Sequence, residues 1–483
     1  MNQLKNSSLS LFAFQLRHSI DNNPKEEVEE NADKIWQKLA ELSQPLEIPD
    51  LATLAQKLIC YKDGKYTPNA ENNLGEDEFL KLLKPEENEG FGKVERGDGL
   101  TLESLISPFR IHDTYAVELN LTCSNAIATS QLKELFNPEN CLLPSKVEAS
   151  IGQTLLLLTE PVETIIDEKK LAEDCVKNLL PDSNLRLRYQ GQLFGSPIFE
   201  YDNDELDPIK SCHILIWLNT AVETLDLAIN NSGSLLLLLC LYHKIVHSYY
   251  QSRQCNQKAR TLYSQQEAHG KTITKFADRP QEAMSEFENL LPKLPVQGFD
   301  YAKNTRNLED YLTTIKINTK NYQNVVAKIP EDERDFFRQM SSRANKYEGQ
   351  IKADLRYLEP GQKLFDRAID SIRGIVEIEQ VKSDRRWQEL EKDRDRNLQT
   401  IVAEVGVGIG AAGIAATASP YILQPNPKDN SYYLGISLLF SLVAGLIGVA
   451  IAARVMRHLQ NQDKPETIHP IIKFILGITN IKG

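Results

Sequence analysis

The chain has 483 residues, 41% of them hydrophobic and 25% charged, and carries a formal net charge of −12. With a mean hydropathy of −0.37, those values exclude a mostly disordered chain and a polytopic membrane protein. The length leaves room for several domains at roughly 100–200 residues each. An acidic chain without a long basic run argues against direct nucleic-acid binding, which rests on Lys and Arg contacts to phosphates.

The first twenty residues hold only a short apolar run, broken by Gln15 and Arg17, and no signal-peptide core or cleavage site. Leu9–Leu16 reads as a strand, and the bulk of the chain is expected to be cytosolic. Residues 21–100 hold 19 Asp/Glu against 10 Lys/Arg, so this stretch supplies most of the negative charge. The acidic residues of 71–98 form either a solvated surface or a loose site for divalent cations. Helical periodicity covers Glu26–Leu42, with Ile35, Leu39 and Leu42 on one face. Strand-like runs follow at Tyr115–Leu121, Gln153–Leu158, Leu185–Phe194 and His213–Leu218. This mixture predicts a cytosolic α/β domain over residues 1–300. Its seven cysteines are scattered without a C-x-x-C pair and read as reduced thiols.

Ser234–Tyr250 contains eight consecutive apolar residues, Leu235–Tyr242, and then His243 and His247. Spanning a bilayer takes about 20 apolar residues, so a buried core helix is expected. Two histidines at i,i+4 can share a metal, or serve the core or a helix cap. Lys244 stands where a zinc protease needs its Glu. His269-Gly270-Lys271-Thr272 imitates the end of a phosphate loop but has Gln265 in place of the first glycine. No Ser/His/Asp or Cys/His arrangement stands out, and the chain is not read as an enzyme; no metal site or cofactor is expected.

Residues 301–400 read as a helical stalk. Prolines 330 and 360 divide it into helices at about 302–328 and 332–357 and a third that starts near Gln362. In the third, Phe365, Ile369, Ile372 and Val376 recur at helical spacing, and from Lys382 to Asn397 six basic and five acidic residues follow. At 1.5 Å per residue the 362–400 stretch alone would span about 58 Å.

Ile401–Leu423 is a 23-residue apolar segment with one charge, Glu404, and Tyr432–Val455 is apolar until Arg454. Each is long enough to cross about 30 Å of hydrocarbon. Separated by the short loop Gln424–Ser431, they predict a two-helix transmembrane hairpin over 401–456. Lys392, Arg394 and Arg396 precede the first span, and Arg454, Arg457 and His458 follow the second. Basic flanks stay inside, so both termini are expected in the cytoplasm of a multi-pass inner-membrane protein. Gly406, Gly410, Gly413 and Thr417 share one stripe of the first span. Small residues at this spacing either pack helices closely or line a narrow pore. Glu404 lies on the opposite face, where it either snorkels to the interface or contributes to an acidic ring that attracts cations. These five are the candidate pore residues. The tail, 457–483, is amphipathic and too short to span.

A large cytosolic α/β domain, two shorter helices, one long helix entering the membrane, a tiny outer loop and a second span with a basic end: from about residue 300 onward this order of elements resembles the CorA-type cation transporter superfamily. The resemblance implies a homo-oligomer, by analogy a pentamer, whose first spans line the pore. The superfamily's Gly-Met-Asn signature is missing, because Ala418–Leu423 reads ASPYIL. The chain is also similar to divergent CorA-like membrane effectors that accompany type III CRISPR systems, in which a small nucleotide messenger acts on the cytosolic part. The expectation is a homo-oligomeric, CorA-like channel or pore-type effector in the lipid bilayer, gated through its cytosolic domain, in antiviral defence. A divalent metal cation transporter and a non-conducting membrane-anchored scaffold are the alternatives.

Overall fold

In a computed structural model, the described residues are 2–18, 28–68, 70–71, 79–96, 99–163 and 167–387, with ten single positions between 406 and 454. The apolar alternation of the N-terminal half becomes one mixed sheet. Its strands are β1 (Gln3–Leu16), β4 (Phe79–Lys81), β5 (Gly90–Glu95), β6 (Thr101–Ile111), β7 (Thr114–Cys123), β8 (Ile127–Ala128), β9 (Gly152–Pro161), β10 (Arg186–Leu193), β11 (Ser196–Asp202) and β12 (His213–Leu218). β2 (Tyr61–Lys62) and β3 (Lys65–Tyr66) form a separate hairpin. The main order is β10-β11-β12-β9-β1-β7-β6-β4, with β5 on β6 and β8 on β1. Neighbours are antiparallel except β12 and β9, which run parallel with Ile214 opposite Leu155.

Strand period two divides the core into two layers. Leu9, Leu11 and Ala13 of β1 face one side, with Leu155 and Leu157 of β9. Short helices cover that side: α1 (Lys34–Glu41), α2 (Leu54–Lys57), α3 (Leu132–Phe136), α4 (Pro144–Val147) and α5 (Glu168–Leu179). Trp36, Phe136 and Cys175 are buried there. Phe12, Phe14, Leu156, Leu215 and Trp217 face the other side. α6 (Thr224–Asn230) leads into α7 (Ser232–Lys275), whose Leu236–Tyr242 segment packs on those residues. The expected core helix at 234–250 is thus the start of a 44-residue one. Past Phe12 the same face of β1 turns polar at Ser10 and Ser8, where Asn120 of β7 donates to both hydroxyls at 2.7 Å.

α8 (Met284–Leu290) and α9 (Lys293–Val326) follow, then α10 (Asp335–Met340), α11 (Arg343–Leu358) and α12 (Gly361–Trp387). Tyr322 and Val325 of late α9 pack with early α7, while Gln297 of early α9 donates to Gln265 of late α7. The two long helices therefore run antiparallel. The helix expected over 332–357 is broken at Ser341–Ser342, where neighbouring hydroxyls compete for backbone hydrogen bonds and Tyr322 donates to the Phe337 carbonyl. Within α12, Phe365, Ala368, Ile372 and Val376 are buried at helical spacing.

The chain divides into two units, Met1–Val376 and Glu377–Gly483. In the second, Ile378 and Val381 of α12 are exposed. Gly406 and Gly410, and Leu439, Val443, Ala444, Gly445, Ile447, Ala450, Ile451 and Arg454, are single helical positions. Among the described residues no single helix is long and apolar enough to cross a membrane; α6 and α7 pass that test only together, bent by 67°. The apolar start of α7 is buried on the sheet, as a core helix is. The expected hairpin over 401–456, the 388–400 part of the stalk and the 457–483 tail lie outside the described residues apart from those single positions.

Candidate functional site

The ends of β11 and β12 meet α7 and α11 in a cavity of about 330 Å³. Local structure puts its side chains there. Glu200 and Asp202 are two apart on β11 and so share a face, and His213 of β12 pairs in register with Asp202. Tyr242, His243, Val246 and Tyr249 recur at one-turn intervals on α7, and Arg343, Lys346 and Tyr347 do so on α11.

A buried hydrogen-bond chain lies at the sheet side. His213 Nε2 is 3.3 Å from Glu200 Oε1, and His213 Nδ1 is 2.8 Å from Thr154 Oγ1. Thr154 Oγ1 is also 2.7 Å from His243 Nε2. A hydroxyl can donate one hydrogen bond and accept others, so Thr154 joins the two imidazoles into one buried chain that ends on Glu200. Burial, reinforced by the neighbouring His213, holds the His243 pKa well below the ordinary imidazole range. Gly152, at φ +137°, lies against His243, and a Cβ on it would come within 2.5 Å of Nδ1.

Ion pairs line the solvent side. Asp202 is buried between Arg188 Nε and Arg343 Nη2, the latter at 2.6 Å. Arg188 also meets Asp204. Tyr249 and Tyr347 stack at 3.9 Å with 8° between their planes, and the Arg253 guanidinium lies 4.9 Å over the Tyr249 ring. Arg253 and Arg260 of α7 both pair with the buried Asp354 of α11. The site is therefore a charge-matched wall between sheet and helices, with room for a small ligand.

The residues singled out from the sequence fare differently. His243 and His247 sit on one α7 face but point apart chemically: His243 directs Nε2 at Thr154, and His247 Nε2 meets Gln251 at 3.2 Å. Burial lowers the His247 pKa to about 4. Among the described residues no group of three His, Cys, Asp or Glu side chains is placed to hold a metal ion. His269–Thr272 lies inside α7, so no phosphate-binding loop forms there. Glu71, in the acidic stretch, is fully buried with Arg17, Arg110 and Tyr115. Of the pore candidates, Gly406 and Gly410 are helical, and a Cβ on Gly410 would meet open space. Glu404, Gly413 and Thr417 lie outside the described residues.

Thr154, Glu200, Asp202, Arg188 and Arg343 were not legible as a site. Their one signal is the pair of carboxylates within Phe199–Asp202, a strand otherwise composed of core residues. Comparison of the chain with protein-family models, curated proteins and solved structures finds no match.

Proposed function

We propose that the chain is a homo-oligomeric, two-span inner-membrane protein of CorA-like architecture, a channel or pore-type effector gated through its N-terminal α/β part. One observation carries the reading. Leu439, Val443, Ile447 and Ile451 recur every four residues on helical backbone and are 66%, 43%, 53% and 57% exposed. A row of large apolar side chains facing water costs about 25 cal/mol per Å² of exposed apolar surface, and a lipid environment removes that cost. The surrounding 432–455 segment is long enough to span, and 401–423 supplies a second crossing.

The cavity beside Asp202 supports the gating half of the proposal. It joins the sheet to α7 and α11, and α11 leads through Glu359–Pro360 into α12. A ligand that binds one arrangement of these elements better than another biases the equilibrium between them. The resemblance to the CRISPR-associated effectors adds a small nucleotide as that ligand, and a pentameric pore lined by Glu404, Gly406, Gly410, Gly413 and Thr417.

Ion flux through proteoliposomes tests the proposal. Flux that the Gly410→Leu substitution blocks supports it, because a Cβ at that position meets nothing within 4 Å and a larger side chain there narrows a pore lined by the first span. Magnesium flux to the exclusion of other ions identifies a metal transporter instead. A bilayer that stays sealed under every condition identifies a scaffold.

A further inference from the structure

The walls of the cavity narrow the chemistry of what it takes. The Asp202 carboxylate already occupies the place between Arg188 and Arg343 that an oxyanion would take. Two guanidiniums offer ten N–H donors between them, and the carboxylates of Asp202 and Asp204 leave some of these to another acceptor. Both side chains remain partly exposed. Lys346, one turn along α11 from Arg343, is exposed and in no ion pair among the described residues.

The aromatic wall argues against a stacked ring. Tyr249 is covered on one face by Tyr347 and on the other by Arg253. Tyr242 lies on His213 at 5.0 Å and is buried. The Tyr249 ring is therefore closed to a flat heterocycle, whereas a compact anion meets Arg188, Arg343 and Lys346, set against the carboxylates of Asp202, Asp204 and Glu205.

We infer that the cavity binds the phosphate group of a small ligand between Arg188, Arg343 and Lys346, in competition with Asp202 for the two guanidiniums. Arg343 heads α11 and Asp202 ends β11, so the exchange replaces a sheet-to-helix ion pair by a ligand bridge. The consequence for gating rests on the reading above; the binding itself does not.

Calorimetric titration of the full chain in detergent, at fixed ionic strength, tests this with inorganic phosphate, ribose 5-phosphate and acetate. Phosphate and its ester bind once per chain, and acetate binds at least tenfold more weakly. Tighter binding of ribose 5-phosphate identifies an ester ligand, and the reverse identifies the free ion. Lys346→Gln weakens phosphate binding at least threefold. Asp202→Asn tightens it at least tenfold, since the competing charge is gone; damage to the fold would weaken it. Thermal unfolding of each variant shows whether it is folded, and the exposed Lys346 carries the test if Asp202→Asn is not. Absence of phosphate binding, indifference to Lys346→Gln, or weaker binding by a folded Asp202→Asn chain overturns the inference. Flux without phosphate binding leaves the gating proposal standing, and phosphate binding without flux removes only that proposal.

Discussion

Thr154 is a small residue with two obligations. It sits on a central strand with no exposure, and its hydroxyl serves His213 and His243 together. Thr154→Val keeps the shape and strands two imidazole nitrogens in the interior. At about 1–3 kcal/mol for each buried group left unpaired, the loss is roughly 2–6 kcal/mol. Chemical denaturation followed by tryptophan fluorescence reads it directly; an unchanged midpoint would mean that water or a rearranged ring replaces the hydroxyl. The same histidines set a pH dependence. His243 and His247 have folded pKa values below the ordinary 6.5 of an imidazole, so the unfolded chain binds their protons first. Their contribution is fully present above pH 6.5 and is lost as pH falls toward about 4, at up to about 1.4 kcal/mol per pH unit for each. His247→Gln flattens that slope between pH 6 and 5, and an unaltered slope contradicts the assignment. The paired carboxylates Glu148 and Glu160, with lowered pKa values, lose their contribution as pH falls below the ordinary 4.5 of a Glu, under the pH 6–5 interval of that test. At this scale the sequence shows two histidines on one helix. It does not show what His243 touches, because Thr154 comes from β9 and His213 from β12, whereas His247 meets Gln251 on its own helix.

Elements were more legible than contacts. The strand expected at Leu9–Leu16 lies within β1, and those at Tyr115–Leu121, Gln153–Leu158 and His213–Leu218 lie within β7, β9 and β12. Period-two burial writes itself into composition in such strands. α1 begins at Lys34, later than the expected Glu26, because residues 30–33 form a turn. α7 runs well past Tyr250 because its polar second half is packed along α9, a tertiary contact that local periodicity does not report. Its apolar start anchors the sheet: Leu238 is fully buried, and Leu238→Ala costs about 2–5 kcal/mol by the usual cavity penalty. A denaturation midpoint close to that of the parent chain would place that leucine outside the main core. The turn from α11 to α12 depends on Gly361, where a Cβ would collide with Tyr301, whose hydroxyl donates to the Leu358 carbonyl. Gly361→Ala destabilises by about 1–3 kcal/mol through that overpacking, and Gly361→Ala with Tyr301→Phe recovers little because the ring still fills the space. Full recovery in the double variant would show that the hydroxyl alone is the obstacle.

For the whole molecule, hydrophobic run length and charge placement carry what the sequence says about a membrane, and both are local. Strand order is not local. The parallel β12–β9 pair, set between antiparallel neighbours, depends on a crossover through α5, β10 and β11 that no short window contains. The site inherits that limit, since it is assembled where β10, β11 and β12 end beside α7 and α11. The apolar row from Leu439 to Ile451 gives the membrane proposal its physical footing. On that proposal the basic flanks set the sidedness, with this expected outcome: a cysteine placed at Ser431 reacts with a membrane-impermeant thiol reagent from outside the cell, and one at Gln460 reacts only after the membrane is opened. Labelling of both from the same outer side contradicts that topology. The most direct measurement is alkaline carbonate extraction of membranes carrying the full chain. A membrane-embedded hairpin keeps the chain in the pellet until detergent is added. Release into the carbonate supernatant as a water-soluble protein would contradict the hairpin, and with it the channel.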